Sequence, residues 1–414
     1  SNTIMLAPQF ALRMGIWGML AYSTASFGLF LFAPMAFRIK QLIPNGYTSG
    51  DFMRLRYGNA VWVLFLLVSV AYSLVFLISM AMAGGIVLEA LAGIDYEKGM
   101  LIVLTVCVLY TLYGGLYAVI GTDFIQSLII LAGIVAVGTA VLLKTDQGAV
   151  YQYVSTNQPM LFDMLMPVAL LSFFNNMLFG FGEIFHSNIW WSRAFAMREK
   201  VAHKAYFLAG LLWFPIPVAA GFIVLAAGPL GINITDIDAA GPIVASEILG
   251  VTGAILVFIV IFCSLASSID SLLAATSDLI TEDIYYKMIN PNATEAQRKR
   301  VTMGAILGLG IVAGIISYPR FDDLPSVLFG WAGPLVASAI FPILCGLYWK
   351  RACAIGAFIA IVAGATTGLA LNSYGFWYIA ALSSALASFA VMMFTTALSQ
   401  RIFSWETLNE SENK

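Results

Sequence analysis

Long apolar runs follow one another along the whole chain, and they constrain its fold more than any other feature of the sequence. The hydrocarbon core of a bilayer is about 30 Å thick, so a helix needs about 20 mainly apolar residues to cross it. Of the 414 residues, 61% are hydrophobic and only 10% are charged, which leaves short polar joints between the runs. This pattern predicts a polytopic, all-α membrane protein, because a spanning helix satisfies its own backbone hydrogen bonds. The eleven predicted spans are 12–37, 61–92, 99–118, 122–144, 162–190, 204–229, 253–283, 302–318, 326–349, 352–372 and 375–397.

Basic residues are distributed unevenly between the two sets of alternating joints. One set holds most of the lysines and arginines, whereas the opposite set holds Lys98, Lys144 and Arg320. Since cytoplasmic joints are enriched in these residues, we expect the basic set to face the cytoplasm and the protein to lie in the cell membrane. The net charge is −2, and the cations orient the chain rather than form a stripe for nucleic acid, so no nucleic-acid partner is predicted. The basic set comprises Arg38, Lys40, Arg54, Arg56, Arg193, Arg198, Lys200, Lys204, Lys287, Arg298, Lys299, Arg300, Lys350 and Arg351.

The first ten residues, SNTIMLAPQF, lack the basic region and the long apolar core of a signal peptide. If the first basic joint, 38–59, lies inside, then span 12–37 must enter the membrane from outside. We therefore expect the sequence to lack its true N-terminus. No long hydrophilic segment separates the spans, which predicts a single transmembrane domain over 1–414.

The chain offers no constellation for covalent catalysis. Its four cysteines, Cys107, Cys263, Cys345 and Cys353, lie in or beside apolar runs without metal-ligand spacing, so small buried side chains are expected. No pair of nucleophile and base is visible either. The sequence therefore predicts neither an enzyme nor an organic cofactor.

A stripe of serines continues the apolar run of span 253–283. Ser264, Ser267, Ser268 and Ser271 recur at spacings of three and four, which places them along one side of a helix. Such serines can bond back to the carbonyl four residues earlier and let helices approach one another. Asp270 favours a different interpretation, because a carboxylate at membrane depth usually faces a cavity, an ion path or a partner charge. A bound cation is the partner we expect, since hydroxyl and carbonyl oxygens suit sodium.

A second polar constellation occurs in GGLYAVIGTDFIQ, residues 114–126. Thr122 and Asp123 open the predicted span 122–144, where either residue could cap the helix N-terminus. The alternative is that the Asp123 carboxylate marks the path of a cation at the membrane edge.

The third constellation interrupts span 162–190 with asparagines, glycines, a glutamate and a histidine. Broken helices expose amides at one half and carbonyls at the other, which makes a site for a polar solute. Glu183 needs a cation, a proton or a positively charged solute. His186 is either part of this site or a hydrogen-bonded histidine of the core. The aromatic residues Phe181, Trp190 and Trp191 are either solute walls or packing.

These residues resemble the sodium:solute symporter family, whose bundle is of the LeuT inverted-repeat type. The resemblance lies in GGLYAVIGTDFIQ, in SSIDSLLAATSDLITEDIYYKMI from residue 267 and in GLYWKRACAIGAFIAIVAG from residue 346, and it extends over essentially the whole chain. GFGEIFHSNIWWSRAFAMRE, 180–199, and INPNATEAQRKRV, 289–301, are most similar to the urea and polyamine transporters of the family.

The resemblance implies a 5+5 arrangement of core helices. The first repeat would cover 1–144, the second, inverted repeat 162–349, and extra C-terminal helices 352–397. The opening residues would then be the outer half of an incomplete first core helix, with Asn2 and Thr3 near the point where this helix is normally broken.

The same resemblance implies a sodium site between that break and the serine stripe, at Thr3, Ser264, Ser267 and Ser268. It also implies a second site, for a cation or a proton, nearer the cytoplasm at Asp123, Asp270 and Ser271, to which Ser267 belongs as well. The family more often has a hydroxyl where this chain has Asp270.

The predicted function is a sodium-coupled symporter that imports a small polar solute by alternating access, with Na+ as the coupling ion and the lipid bilayer as its surroundings. Asn175, Asn176, Ser187 and Asn188 suit urea, whereas Glu183 with Trp190 and Trp191 suits a polyamine and favours the amine. The alternative is the solute-sensing domain of a signalling protein. The sequence contains no signal for an oligomeric state. The predicted solute-binding residues are Asn2, Phe181, Glu183, Ser187, Asn188, Trp190 and Trp191.

Overall fold

The computed structural model describes residues 3–163 and 165–411, except for the side chains of residues 115–118, 199–200 and 409–411. Within this part of the chain all regular elements are helices, which confirms the all-α prediction. The α-helices are α1 (Thr3–Ser23), α2 (Ala25–Leu42), α3 (Ser49–Tyr57), α4 (Asn59–Ala92), α5 (Tyr96–Lys144), α6 (Gln147–Asn157), α7 (Pro167–His186), α8 (Asn188–Ala196), α9 (Glu199–Trp213), α10 (Pro215–Val224), α11 (Ala240–Asp278), α12 (Glu295–Ser317), α13 (Gly333–Tyr348), α14 (Ala354–Ser373), α15 (Ala380–Leu398) and α16 (Glu406–Ser411). Two π-helical segments, Leu279–Ile289 and Ser326–Ala332, extend α11 and precede α13.

Eleven helical stretches of the described chain are long and apolar enough to cross a membrane, in agreement with the predicted number of spans. The protein is therefore a multi-pass membrane protein. The bounds differ from prediction at the start, where one apolar stretch covers Thr3–Leu42. Helix α5 carries two stretches, Tyr96–Gly114 and Val119–Lys144. The orientation of the joints and the division into repeats stay predictions.

Glycine bends the first helix. Gly15 lies inside α1 with φ 59° and ψ −135°, a left-handed backbone that side chains disfavour. A Cβ at this position would lie 1.9 Å from the carbonyl oxygen of Leu161, so only glycine fits the close approach. The bend separates the segment that begins at Thr3 from the segment that leads into α2.

The interruption predicted in span 162–190 is a break between α7 and α8. Ser187 has an extended backbone, with φ −67° and ψ 129°, and its hydroxyl accepts a hydrogen bond from the Ile189 amide at 3.4 Å. Serine at this position caps the second helix and ends the first, because its side chain satisfies an amide that has no helical partner. Helix α7 packs against α2, and α8 packs against both α11 and α2.

Helix α11 lies at the centre of the bundle, packed against α4, α5 and α1. Its apolar residues Val257, Ile261 and Leu265 are buried in the main hydrophobic core. On the same helix Ser264 and Asp270 are also buried, which brings polar groups into the interior. The packing of α1, α5, α7, α8 and α11 surrounds the candidate site.

Candidate functional site

A cavity of about 610 Å³ lies between these helices. Most of its wall is apolar, and its size is within the usual range for small-molecule sites. The polar residues that line it are Thr3, Tyr22, Asp123, Ser127, Asn176, Glu183, Trp190, Arg193, Trp213, Ser264, Ser267, Ser268 and Ser271.

One wall of the cavity brings together the predicted sodium ligands. Thr3 and Ser264 are buried and line the same cavity as Ser267 and Ser268. The Ser268 hydroxyl donates to the carbonyl oxygen of Ser264 at 3.1 Å, which leaves the lone pairs of Ser268 available to a cation. Bonding back to the helix therefore explains one hydroxyl of the stripe and not the stripe as a whole.

Asp123 lies on the neighbouring wall. Its carboxylate accepts hydrogen bonds from the Ser267 hydroxyl and, at 3.2 Å, from the Ser271 hydroxyl. The interpretation of Thr122 and Asp123 as helix caps is wrong, because both residues lie inside α5 rather than at a helix start. Two serines of α11 thus point at one carboxylate of α5.

The guanidinium of Arg193 is the cation nearest to this carboxylate. Its Nη2 lies 2.8 Å from Asp123 Oδ2 and 2.9 Å from the Ser271 hydroxyl. The charge pattern of the sequence predicts Arg193 as a cation of a joint, but the residue lies on α8 and lines the cavity. The sequence contains one signal for this position: the apolar run IWW directly before Arg193 indicates a helix that includes the arginine.

Asp270 has a different environment from Asp123. It is fully buried, and its Oδ2 accepts hydrogen bonds from the Tyr110 hydroxyl at 2.8 Å and from Thr122 at 3.4 Å. Its Oδ1 has no hydrogen-bond partner in the described part of the chain. Asp270 lies outside the cavity lining, whereas Asp123 belongs to it. The site predicted to be shared by the two carboxylates stays a prediction.

Residues of α7 and α8 line a further part of the cavity. Glu183 accepts a hydrogen bond from the indole N–H of Trp190 at 3.1 Å, which orients both side chains towards the cavity. Asn176, two helical turns before Glu183, is 2% exposed, and neither atom of its side-chain amide has a hydrogen-bond partner within the described residues. A buried amide without partners is a ready binding group for a polar solute.

Four predicted solute-binding residues do not reach the cavity. Phe181 stacks on Phe185, with ring centroids 5.9 Å apart. Ser187 caps α8, and the fully buried Trp191 donates its indole N–H to the Phe185 carbonyl at 2.6 Å. Asn188 accepts from the Ser49 amide at 2.9 Å and donates to the Ala275 carbonyl at 3.1 Å. These side chains are engaged in packing and helix connections, and Asn2 lies outside the described residues.

His186 belongs to the core rather than to the cavity. Its Nε2 hydrogen-bonds the Ser69 hydroxyl at 2.8 Å, and its ring packs against Phe65 and Tyr72. The residue is buried among aromatic side chains. The structure thus favours the core interpretation of this histidine.

An ion network joins α3 to the π-helical segment that extends α11. Lys287 lies 2.5 Å from Asp51 of α3 and 3.1 Å from Asp283, which also accepts the indole N–H of Trp62 at 3.2 Å. Burial opposes the charge of Asp51, but the Lys287 ammonium and the amides of Thr48 and Tyr47 outweigh it and hold the pKa of Asp51 below its ordinary value. Helix α3 is in this way attached to the end of the central helix.

A multi-pass helical bundle in which a broken helix and a bent helix border a largely apolar cavity with a few polar groups has the architecture of a secondary transporter. The sequence model of the sodium:solute symporter family matches residues 7–364. The chain belongs to the sodium:solute symporter family, and the predicted family is confirmed.

The comparisons with individual proteins agree with this family. The chain is 29% identical to a urea-proton symporter, DUR3, of Oryza sativa subsp. japonica over 409 residues, which cover 89% of this chain and 56% of that protein. It is 26% identical to a urea active transporter of Saccharomyces cerevisiae, covering 87% of this chain and 53% of that protein. The chain thus spans about half the length of these relatives. Both are named as transporters, which agrees with the prediction of a transporter rather than an enzyme.

The fold is that of a solved, substrate-bound, outward-open Na+-coupled sialic acid symporter. The TM-score is 0.71 at 17% identity, and the likeness covers 97% of this chain and 87% of that one. The predicted LeuT-type fold is therefore confirmed.

Proposed function

We propose that this chain forms the transport domain of a sodium-coupled symporter that imports urea or a closely similar small polar solute. The observation that carries the proposal is the central cavity, in which the Ser267 and Ser268 wall and the Asn176 and Glu183 wall border one space. The names of the rice and yeast relatives support urea among the possible solutes.

The oxygen groups on the serine wall suit a sodium ion. Ser267 and Ser268 offer hydroxyls and Ser264 a carbonyl on α11, while Thr3 offers a further hydroxyl from α1. Small hard cations bind to sets of such oxygens. Because α1 and α11 each contribute to this set, an ion held between them would connect the bent first helix to the central helix.

The wall that contains Asn176 and Glu183 suits urea in its hydrogen-bonding groups. The Asn176 amide provides one donor group and one acceptor, both unpartnered among the described side chains, and the Glu183 carboxylate is a further acceptor. Urea offers a carbonyl oxygen and four N–H bonds. A bound urea would supply the partners whose absence costs about 1–3 kcal/mol for each buried polar group.

A polyamine is the second candidate solute. Glu183 is a carboxylate in the cavity wall, and Trp190 presents an indole beside it. A carboxylate and an aromatic face together bind an ammonium group. An elongated diamine would place one ammonium at Glu183 and extend through the cavity.

Coupling follows from the shared cavity. An ion on the serine wall neutralises part of the negative potential there and connects α1 to α11, which line the same cavity as the solute groups of α7 and α8, so ion and solute bind better together. Each transported positive charge contributes about 2.3 kcal/mol per 100 mV, which corresponds to roughly fifty-fold accumulation of a neutral solute. The protein thus needs no covalent chemistry to concentrate urea.

The proposal is tested by uptake into proteoliposomes that contain the protein at its full natural length. Labelled urea and labelled putrescine are offered under a sodium gradient, under a proton gradient and without either gradient. Sodium-dependent accumulation of urea supports the proposal. Accumulation of putrescine without urea would show that the solute is a polyamine. Accumulation driven only by the proton gradient would show that the coupling ion is a proton rather than sodium. Saturable binding of a solute without any flux would favour the predicted sensor.

A further inference from the structure

The Asp123 carboxylate already has a cation of the protein beside it. Arg193 Nη2 lies 2.8 Å from Asp123 Oδ2, and the same nitrogen lies 2.9 Å from the Ser271 hydroxyl. The Asp123 and Arg193 side chains are 21% and 24% exposed, so the pair is largely removed from solvent. A charge-assisted hydrogen bond in such surroundings is stronger than a neutral one.

The position of Arg193 is fixed by its own helix. Its Nη1 donates to the carbonyl oxygen of Ile189, one turn earlier on α8, at 3.0 Å. The guanidinium is planar and carries its donors in a rigid fork, so this bond aims Nη2 at α5 and α11. The ion pair therefore connects three elements, because Asp123 belongs to α5 and Ser271 to α11.

A small cation bound at this place would need the same oxygen atoms. The two carboxylate oxygens of Asp123 and the hydroxyls of Ser267 and Ser271 are the nearby ligands, and Arg193 donates to two of these groups. A second positive charge within about 4 Å of the guanidinium is repelled, and an arginine stays protonated at all ordinary pH values. Arg193 thus balances the charge of the Asp123 carboxylate before any ion arrives.

We propose that Arg193 acts as a resident cation at Asp123, in place of a second transported cation, and so limits the symporter to one coupling ion per solute. The inference rests on the proposed function and makes it more specific. It assigns Arg193 as a coupling residue that acts by occupying an ion site rather than by touching the solute. A transporter with one coupling ion concentrates a neutral solute roughly fifty-fold per 100 mV of membrane potential. With two coupling ions the concentration ratio would be the square of that value.

The first test counts bound ions and requires no transport. Binding of radioactive sodium is measured on the purified full-length protein, on Arg193→Gln and on the control Arg198→Gln, an exposed arginine after α8. We expect Arg193→Gln to bind one more sodium ion per protein than the parent, and Arg198→Gln to bind the same number as the parent. The double variant Asp123→Asn/Arg193→Gln loses the carboxylate as well and should return to the parental number. Equal numbers in the parent and in a folded Arg193→Gln would overturn the inference.

The second test uses the unmodified protein, so it remains decisive even when the arginine variant does not fold. The number of sodium ions coupled to each solute molecule is determined at static head, from the solute gradient that a known sodium gradient sustains. The membrane potential is clamped at several values. A ratio of one supports the inference, and a ratio of two excludes it. The proposed function fails if the parent shows no sodium-dependent flux, which is a different result. In that case the ion count of the first test still decides the role of Arg193.

Discussion

Adjacent serines of the central helix have different partners, and this difference separates their roles at the residue scale. Ser267 donates to Asp123 on another helix, whereas Ser268 donates to the Ser264 carbonyl of its own helix. Both line the cavity. The spacing of the serines predicts that they share a helix side, but it contains no information on which neighbouring helix faces each hydroxyl.

We expect Ser268→Ala to weaken sodium binding. The change removes one proposed ligand and leaves the Asp123 network intact, and the loss of a hydrogen-bonding group opposite a charge costs about 1.5–3 kcal/mol. The dissociation constant for sodium should rise roughly ten-fold or more. Ser277→Ala is the matched control, because Ser277 is a buried serine of the same helix that bonds back to the Ala274 carbonyl at 2.8 Å. Sodium titrations of the two variants give the comparison, and equal affinities would remove Ser268 from the ion site.

Asn175 and Asn176 form a second pair of neighbours with opposite environments. The side-chain Oδ1 of Asn175 accepts a hydrogen bond from the backbone N–H of Leu382 on α15 at 3.0 Å. The side-chain amide of Asn176 is unpartnered among the described residues, and Asn176 lines the cavity. We expect Asn176→Leu to raise KM for the solute without lowering the unfolding temperature. Asn175→Leu should lower the unfolding temperature, because a buried amide that loses its acceptor costs about 1–3 kcal/mol. Uptake kinetics and thermal unfolding of both variants test the pair, and a shared phenotype would contradict the assignment.

At the scale of elements, the break between α7 and α8 was predictable from the sequence, but the partners of its residues were not. Glycines, asparagines and a glutamate within an apolar run indicate an interruption, whatever surrounds it. The contacts of Trp191 and Phe181 depend on how α8 and α7 pack in three dimensions. Periodicity shows which residues share a helix face, and only tertiary packing decides whether that face borders the cavity, as for Glu183, or the core, as for Trp191.

Asn188 connects elements of the fold through its side-chain amide. Its amide bridges the Ser49 backbone of α3 and the Ala275 carbonyl of α11 at the start of α8. We expect Asn188→Ala to destabilise the protein by about 1–3 kcal/mol, since two buried backbone groups lose their partner. The affinity for solute should stay within two-fold of the parent, an allowance of about 0.4 kcal/mol. Thermal unfolding and a solute-binding isotherm test this prediction. A reduced affinity for solute at an unchanged unfolding temperature would show that Asn188 belongs to the solute site.

For the whole molecule, ion pairs lie at both ends of the bundle and hold distant segments together. Arg320 lies 2.6 Å from Asp236 and 2.6 Å from Asp238, in the segments that flank α11 and α12. At the other end Lys287 lies between Asp51 and Asp283. These residues are far apart in sequence, so single-sequence patterns predict the basic joint but not its acidic partner. A transporter that opens alternately to the two sides has to rearrange or circumvent such contacts during each cycle.

The Lys287 network predicts a specific dependence of stability on pH. The pKa of Asp51 is held below its ordinary value, so its ionised form stabilises the fold at neutral pH, and this contribution is lost as the pH falls through the lowered pKa, below about 4. Lys287→Met removes the ammonium from two buried carboxylates, which typically costs about 3–5 kcal/mol. The variant should therefore unfold at a lower temperature than the parent at pH 7. Its loss of stability on acidification should be smaller, because Asp51 without its cation gains less from ionisation.

Thermal unfolding of the parent and of Lys287→Met between pH 3 and pH 7 measures both effects at once. The control is Lys98→Met, since Lys98 lies 2.5 Å from Asp95 in an exposed pair that contributes little to stability. We expect the unfolding temperatures of parent and Lys98→Met to follow the same curve, and that of Lys287→Met to converge on them as the pH falls. Parallel curves for the parent and Lys287→Met would show that Asp51 does not depend on Lys287 for its charge. The connection of α3 to the central helix would then rest on the Asn188 bridge and on apolar packing.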